Sequence, residues 1–224
     1  MMRRPTPPSA SGRRRRAPVR PARRARAQRG LTLIELLAVL AIAGILSVLI
    51  IPRYELWVGG LQVRMAAQSV AHTLGEARLR AIRHHQNVAV KFREGADGRI
   101  TLALYRDADG DGVLNRDIDD GVDPLIKSPR RLAYGSRRIR FGFPPGEAPT
   151  DPGQPRRRLT RLSDPIRFNR SDLASFSEIG TATPGTVYLT DDRFHLAAVR
   201  LSPDSSRVTI LIYDRALELW RRLG

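Results

Sequence analysis

The chain has 224 residues and a formal net charge of +17, with 42% hydrophobic residues and no cysteine. This length allows one ordinary domain with appendages, and the hydrophobic content is sufficient for a packed core. The absence of cysteine excludes disulfides, thiolate metal sites and a lipidated N-terminal cysteine.

Much of the positive charge lies in the N-terminal segment 1–30. This segment contains eleven arginines and no acidic residue, and the remaining 194 residues therefore hold only +6 of the total charge. Most of its other residues are Pro, Ala and Ser, which offer little to bury. We predict a disordered basic leader, and we attribute the high overall charge to it rather than to a nucleic-acid-binding surface.

A run of mainly apolar residues follows, from Leu31 to Ile51. As a helix it would be about 31 Å long, enough to cross the hydrocarbon core of a bilayer. Because the leader arginines all precede it, the positive-inside rule places the N-terminus in the cytoplasm and the later residues in the periplasm. A secretory signal peptide ending at Ala41-Ile42-Ala43 and an uncleaved signal anchor are alternatives, but neither accounts for Glu35, a costly charge in an apolar span.

A short segment at the start of this run resembles the processing site of type IV prepilins and type II secretion pseudopilins: Arg29-Gly30-Leu31-Thr32-Leu33-Ile34-Glu35. The resemblance implies that prepilin peptidase cleaves between Gly30 and Leu31 and methylates the Leu31 amine. Glu35 then becomes the fifth mature residue, where this family has a glutamate that pairs with the N-terminal amine of a neighbouring subunit. Pro52 becomes the twenty-second, where many pilins also have a proline.

The pattern from Tyr54 to about His85 is helical, because apolar residues recur in alternating steps of four and three. These residues are Val63, Ala67, Val70, Leu74, Ala77 and Ala81. Their many alanines allow another element to approach closely, and we expect the stripe to pack on a β-sheet rather than to form a coiled-coil seam. One long helix would then run from the membrane into the periplasm, with a kink at Pro52.

After His85 the sequence is typical of β-structure. Apolar and alternating segments predict strands at 87–93, 99–105, 137–143, 165–169, 186–189, 195–202 and 207–213. The sequence Gly95-Ala96-Asp97-Gly98 predicts a hairpin between the first two, and the segment 144–155 is a predicted Pro/Gly-rich loop. The expected fold is therefore α+β: a long N-terminal helix packed on an antiparallel β-sheet head, as in pilins.

Three segments of this region resemble the head domain of the GspH/FimT family, which includes minor pseudopilins of type II secretion and related minor type IV pilins: 165–169 (PIRFN), 180–190 (GTATPGTVYLT) and 197–202 (AAVRLS). The segment Arg170–Ile179 is interpreted as an insertion between the first two. The expected organisation is a cleaved leader (1–30), a transmembrane helix half (31–52), a periplasmic amphipathic helix half (53–86) and a β-rich head (87–224).

The resemblance implies a structural minor pseudopilin, held in the bacterial inner membrane by one span, with its head in the periplasm. The implied partners are prepilin peptidase, other major and minor pseudopilins, and the inner-membrane assembly platform. We find no G-x-S-x-G, Walker, G-x-G-x-x-G or H-E-x-x-H motif, and the histidines at 72, 84, 85 and 195 lack metal-binding spacing, so we do not expect an enzyme.

A minor type IV pilin of the FimT kind, which contributes to DNA binding and uptake, is the alternative function. Arg137-Arg138-Ile139-Arg140, Arg156–Arg158 and Arg221-Arg222 are basic segments that could contact nucleic acid. The modest charge of the mature chain weighs against this function, as does a C-terminus that poorly matches the G-R-x-R-like element we associate with DNA-binding members.

One acidic segment matches the D-x-D-x-D-G start of an EF-hand-like calcium loop. The twelfth position of such a loop is usually glutamate, but here it is Ile118, and a nearby aspartate would have to substitute for it. The candidate calcium ligands are Asp107, Asp109, Asp111, Asn115 and Asp117. A solvated polar hairpin turn is the competing interpretation. Apart from calcium, the sequence predicts no cofactor.

Overall fold

The computed structural model describes residues 32–95, 100–132, 139–203 and 205–223, apart from the side chains of residues 49–53 and 55. The chain divides into two compact units, Met1–Leu46 and Ser47–Gly224. The predicted leader and the junction between Gly30 and Leu31 lie outside the described residues.

Helix α1 extends from Leu33 to His84 and is continuous through Pro52. It starts at Thr32, whose Oγ1 accepts a hydrogen bond from the Glu35 N–H at 3.3 Å. It ends where His85 takes the left-handed conformation, with φ of 50°, and the Gln86 N–H donates to the Ala81 carbonyl. A helix that precedes the β-structure is confirmed, whereas its transmembrane first half and the kink at Pro52 stay predictions.

The first part of α1 is apolar and uncovered. Every side chain from Thr32 to Val48 is exposed, including Ile34 and Val48 at more than 70%. Within the described part of the chain, no helix combines the length and the apolar character that crossing a membrane requires. The predicted span from Leu31 to Ile51 includes residues that the structure does not describe fully, so this span stays a prediction.

The second part of α1 packs on β-structure, as its pattern predicts. All six residues of the predicted stripe are buried, with at most 1% of their surface exposed. They belong to one apolar core that also contains residues of two sheets, such as Phe92 and Val199. The prediction of a helix packed on antiparallel strands is therefore confirmed within this unit.

The remaining elements, in chain order, are β1 (Val88–Glu94), β2 (Ile100–Arg106), α2 (Asn115–Asp120), β3 (Leu125–Arg131), β4 (Arg140–Phe141), β5 (Thr150–Asp151), β6 (Gln154–Arg158), β7 (Ile166–Arg167), β8 (Leu173–Phe176), β9 (Gly185–Thr190), β10 (Leu196–Leu201), β11 (Val208–Asp214) and β12 (Leu219–Arg222). The first sheet has the order β3-β2-β1-β8, and the second has the order β12-β11-β10-β9-β4, with β7 also paired to β9. Strands β5 and β6 form a separate hairpin. The pairings of the described strands are antiparallel.

Phenylalanine rings join the two sheets inside the core. The Phe92 ring of β1 stacks on Phe168 at a centroid distance of 5.5 Å and meets Phe141 edge-on at 5.9 Å. Gly185 lies against the same cluster, because a Cβ atom there would be 2.2 Å from the Phe168 ring. The glycine at the start of β9 is therefore required by the packing of the phenylalanine in the PIRFN segment.

Several β elements differ from the prediction. The segment Arg170–Ile179, interpreted as an insertion, contains a strand that was not predicted: β8 pairs with β1 and contributes Ala174 and Phe176 to the core. The predicted loop 144–155 contains β5 and the first residues of β6. Strands β3 and β12 were not predicted, because their residues are mostly exposed and show no apolar alternation.

Candidate functional site

The start of α1 places the predicted assembly residue, Glu35, in the first helical turn with its side chain exposed. Thr32 is the N-cap of this helix, and its hydroxyl accepts the Glu35 N–H. The spacing Thr32-Leu33-Ile34-Glu35 is the S/T-x-x-E pattern of a capping box, which could have identified Thr32 from the sequence. An acidic residue in the first turn also interacts favourably with the helix dipole.

The acidic segment forms a loop between β2 and α2, and the carboxylate of Asp107 organises its first half. Its Oδ1 accepts the N–H of Gly110 at 2.7 Å, and its Oδ2 accepts the N–H of Gly112 at 3.0 Å and the Asn87 amide at 2.8 Å. Both glycines have φ above 90°, in the left-handed region that favours glycine. The D-x-D-x-D-G pattern therefore encodes a tight turn around Asp107.

Asp123 fixes the other half of the loop from the far side of α2. Its carboxylate is buried and accepts the N–H of Ala108 at 3.3 Å and that of Leu114 at 3.1 Å. The sequence gives no local signal for this contact, because Asp123 lies sixteen residues after Asp107. Both ends of the loop are thus held by buried aspartates that bond to backbone N–H groups.

The three aspartates of the motif converge. Asp107 is buried and Asp109 and Asp111 are exposed, and each offers a carboxylate oxygen within 4.8 Å of the others. Burial alone would raise the pKa of Asp107, but the hydrogen bonds from Asn87, Gly110 and Gly112 hold this pKa below its ordinary value. Desolvation and then the charge of Asp109 raise the pKa of Asp111, and Asp117 and Asp107 add to the effect.

The two further predicted ligands, Asn115 and Asp117, lie in α2. The Asn115 amide donates to the Ser171 carbonyl at 2.7 Å, and the Oδ1 of Asp117 accepts from the Arg116 Nε at 3.0 Å. The remaining polar atom of each side chain, Asn115 Oδ1 or Asp117 Oδ2, is buried and has no hydrogen-bond partner among the described residues. Two buried oxygens of α2 therefore lack the hydrogen bond that usually offsets the cost of burying a polar atom.

A second polar cluster, which the sequence did not indicate, lies between β9 and β10. The buried Asp191 accepts three backbone N–H groups through Oδ1, from Arg193, Phe194 and His195, and its Oδ2 lies 2.6 Å from the His195 Nδ1. His195 is half-buried rather than fully exposed at the surface, and its ring lies beside Gly60 of α1. The cluster fixes a turn against the helix.

Three of the six arginines that the structure describes in the basic segments form ion pairs. Arg140 pairs with Asp192, and Arg158 pairs with Glu218 at 2.9 Å and with Glu147 at 3.2 Å. Arg221 pairs with Asp214 at 3.1 Å. Arg137 and Arg138 lie outside the described residues. These ion pairs neutralise part of the positive charge that the sequence suggested for contacts with a nucleic acid.

Comparison with known protein families gives a match at the N-terminus. Residues 25–51 match the family described as the prokaryotic N-terminal methylation motif. The chain carries a prepilin-like signal. The matched segment contains Gly30, Leu31 and Glu35, and it supports a type IV pilin-like protein that is processed by prepilin peptidase and assembles with other pilins. Such a motif implies an N-terminal membrane anchor. No curated protein and no solved structure matches the chain.

Proposed function

We propose that this chain is a structural minor pseudopilin of a type II secretion-like system, processed by prepilin peptidase and assembled into a periplasmic pseudopilus. The observation that carries the proposal is the methylation motif over residues 25–51, in which Glu35 follows the Gly30/Leu31 junction at the fifth position. Prepilin peptidase cleaves this junction and methylates the new N-terminus at Leu31. The mature chain then begins two residues before α1.

The exposed apolar part of α1 supports this role. Its side chains from Leu33 to Val48 are exposed in the part of the chain that the structure describes, and lipid covers them before assembly. In this proposal α1 anchors the chain in the inner membrane with the leader in the cytoplasm and the head in the periplasm. In a filament, the helices of neighbouring subunits take the place of lipid.

Glu35 provides the specific contact in that helical stack. An unpaired carboxylate is costly in a membrane, and such groups usually have a partner. The methylated amine of Leu31 in a neighbouring subunit keeps its positive charge and is the proposed partner. The pair then sets the register between subunits, while the N-cap hydrogen bond of Thr32 keeps the first turn of α1 formed.

The head supports placement in the GspH/FimT family. The PIRFN segment places Phe168 in the core, and the GTATPGTVYLT segment supplies Gly185, which accommodates that ring, and the buried strand β9. The AAVRLS segment forms β10, the neighbour of β9. The three segments therefore contribute to one packing unit. We propose that this head has a structural rather than a catalytic role.

The processing claim is tested on protein extracted from membranes. Mass spectrometry of the N-terminus should show methyl-leucine at position 31. Gly30→Asp should leave the precursor uncut, whereas Ser9→Asp, which adds the same charge far from the junction, should be processed normally. An intact leader on the wild-type chain, or a mature start at Gly44, would contradict the proposal.

The assembly claim uses Glu35→Val. This variant should still insert and be cleaved, because the span becomes more apolar, but its crosslinking to neighbouring pseudopilins should fall strongly. Undiminished crosslinking would refute the charge pair while leaving the processing result intact. The genomic neighbourhood separates the two machines: genes for a secretion ATPase and a secretin favour the pseudopilin, whereas competence genes favour the DNA-binding minor pilin.

A further inference from the structure

We propose that one end of the head docks on the anionic phospholipid headgroups of the periplasmic leaflet of the inner membrane. This basal surface consists of the β9–β10 turn (191–195), the β11–β12 turn (215–218) and the helical residues Tyr54, Trp57 and Leu61. The docking rests on the proposed function, in which α1 anchors the chain in that membrane. It adds a second contact between the protein and the bilayer.

Two contacts with α1 fix the direction of the second sheet along the helix. Before β10, the His195 ring lies against Gly60, where a Cβ atom would be 3.0 Å from the ring Nε2. Beyond the other end of β10, the Ser206 carbonyl accepts a hydrogen bond from Arg78 at 3.3 Å. Gly60 and Arg78 are eighteen residues apart, which is about 27 Å along a helix. The β9–β10 turn is therefore at the end of the sheet nearest to the N-terminal part of α1.

The β11–β12 turn lies at the same end. Strand β11 is antiparallel to β10, so it ends where β10 begins. The Arg215 Nη1 donates a hydrogen bond to the Arg193 carbonyl at 3.4 Å, which joins the two turns directly. Asp191 holds the first turn against the helix, because a Cβ atom at Gly59 would be 2.6 Å from its Oδ2. The two turns and α1 therefore form one surface.

Apolar and aromatic side chains are exposed on this surface. Phe194 and Leu217 are at least half exposed in the two turns, and Tyr54 and Trp57 of α1 are more than 60% exposed. With Leu61, the two helical aromatics follow an i, i+3, i+7 spacing, which places them on one face of α1. Tryptophan and tyrosine are enriched where a membrane meets water. A lipid interface accounts for these exposed side chains.

The position of Trp57 fits the headgroup layer. The apolar run of α1 ends at Ile51, six residues before Trp57. Six helical residues rise about 9 Å, and the headgroup layer of each leaflet is about 5–8 Å thick. If the hydrocarbon core ends near Ile51, the ring of Trp57 is at the outer edge of that layer.

A basic cavity of about 540 Å³ lies beside Phe194. The arginines of its lining are Arg64, Arg215, Arg221 and Arg222. Asp214 is the one acidic residue among the lining residues that the structure describes, so the lining carries a formal charge of +3. Asp214 pairs with Arg221 at 3.1 Å, whereas Arg215 donates to the carbonyls of Arg193 and Pro145 and keeps its charge uncompensated by them. Guanidinium groups match phosphate oxygens in geometry and charge.

The combination of the two features favours a membrane over a nucleic acid. Protein surfaces that bind anionic membranes combine basic residues with Trp, Phe and Leu, which enter the boundary between headgroups and acyl chains. Here Phe194 belongs to both the exposed apolar set and the lining of the arginine cavity. We therefore assign an anionic lipid headgroup to the cavity and the surrounding lipid surface to the apolar residues.

Fluorescence quenching by spin-labelled lipid tests the docking. The full mature chain is reconstituted at one copy per lipid nanodisc, so that no second copy can cover the surface. The discs contain phosphatidylcholine with an equal part of phosphatidylglycerol or phosphatidylcholine alone. Because the chain has no cysteine, Leu217→Cys gives one labelling site, and Ser205→Cys gives an exposed control site between β10 and β11, at the opposite end of the sheet. In the anionic discs, spin labels at headgroup level should quench the fluorophore at 217 several-fold more than that at 205.

A pair of charge-matched variants tests the arginine cavity. Arg64→Gln with Arg222→Gln should reduce the quenching at 217 to the level in phosphatidylcholine alone, and it leaves the turn hydrogen bonds of Arg215 intact. The control, Arg83→Gln with Arg207→Gln, alters two exposed arginines at the opposite end of the head and should retain the quenching.

A third label separates failure of the docking from failure of the anchor. Gly44→Cys lies in the apolar run, where a Cβ atom meets no atom within 4 Å, and its fluorophore should be quenched by spin labels on the acyl chains. Quenching at 44 with equal signals at 217 and 205 would overturn the docking and leave the anchor intact. Absence of quenching at 44 would refute the anchor and the docking together.

Two further results would also overturn the docking. Equal quenching at 217 in the two kinds of disc would remove the role of anionic lipid. If the Arg64→Gln, Arg222→Gln variant lost binding of a DNA duplex but kept the quenching at 217, the cavity would belong to a nucleic acid instead.

Discussion

Gly185 shows how a single missing side chain can determine packing. A Cβ atom at this position would approach the Phe168 ring to 2.2 Å and the Arg167 carbonyl oxygen to 2.5 Å. The carbonyl is backbone and cannot rotate away, and the ring is fully buried and stacks on Phe92. Space rather than backbone conformation therefore selects glycine at the start of β9.

We predict that Gly185→Ala lowers the free energy of unfolding by about 1–3 kcal/mol, the usual cost of overpacking a core. The measurement is a thermal or urea unfolding curve of the full chain in mild detergent. Gly75→Ala is the matched control, because a Cβ there meets no atom within 4 Å and alanine favours the helix. The control should be neutral or stabilising; equal effects of the two changes would contradict the packing argument.

Asp191 makes the stability of the β9–β10 turn depend on pH. Burial alone would raise its pKa, but hydrogen bonds from the His195 side chain and from the backbone of His195, Phe194 and Arg193 hold this pKa below its ordinary value of 3.8. A carboxylate with a lowered pKa stabilises the fold above the pKa of the unfolded chain. This contribution is lost as the pH falls through the folded-state value.

We therefore expect Asp191→Asn to destabilise the chain by about 1–3 kcal/mol at pH 6, since it weakens a buried network of hydrogen bonds. The difference from wild type should shrink below about pH 3.8, where the wild-type carboxylate also becomes protonated. Unfolding curves from pH 2 to 7 measure both effects. Asp192→Asn, at an exposed ion pair, should change the stability little. If the stability difference between Asp191→Asn and wild type did not vary with pH, the ionised carboxylate of Asp191 would not be its cause.

At the scale of elements, α1 depends on small residues where it meets the sheets. Ala67, Ala77 and Ala81 are fully buried in the core. We predict that Ala77→Leu lowers the unfolding free energy by about 1–3 kcal/mol, because the added methyl groups have no space. Gln68→Leu adds the same side chain on the exposed face of α1 and serves as the control. Thermal unfolding should shift downwards for Ala77→Leu alone.

The success of sequence-based prediction varies between elements for a physical reason. The stripe of α1 and the strands β1, β2, β9, β10 and β11 were predicted because their buried residues follow a regular period or form apolar runs. The residues of β3, β6 and β12 are mostly exposed, and these strands lie at sheet edges or in a separate hairpin, so that pairing rather than burial defines them. The residues of such a strand do not indicate which other strand it pairs with.

The same distinction applies to the aspartate loop. The motif residues Asp107, Asp109 and Asp111 were identified from their spacing, and the structure brings their oxygens together. The role of Asp123 could not be predicted, because its two hydrogen bonds reach backbone groups nine and fifteen residues away. Its burial depends on how α2 folds back on the loop, which is a tertiary effect.

For the whole molecule, removal of the leader would be a large change in charge. Removal of the leader would take away eleven arginines and reduce the net side-chain charge from +17 to +6. Phosphate contacts by basic residues dominate nucleic-acid affinity, and this affinity falls steeply with salt. Whether the leader is still attached should therefore determine how strongly the chain binds DNA.

We predict that the mature chain binds a DNA duplex weakly at 200 mM salt, whereas the uncut Gly30→Asp precursor binds more tightly and with a steeper salt dependence. Fluorescence anisotropy with one labelled duplex compares the two forms. Salt-resistant binding by the mature chain that is lost in Arg156→Gln with Arg157→Gln would favour the FimT-like alternative.

The shared core of α1 and both sheets also constrains the order in which the chain folds. The stripe ends at Ala81, and its core partner Val199 follows 118 residues later. Contacts between residues so distant in sequence form slowly, because a long loop must close before they can contribute. The apolar stripe of α1 therefore stays exposed while most of the head is still being synthesised. Helix α1 is the first of the described elements to be made, and its apolar face cannot be fully buried until β10 has been made.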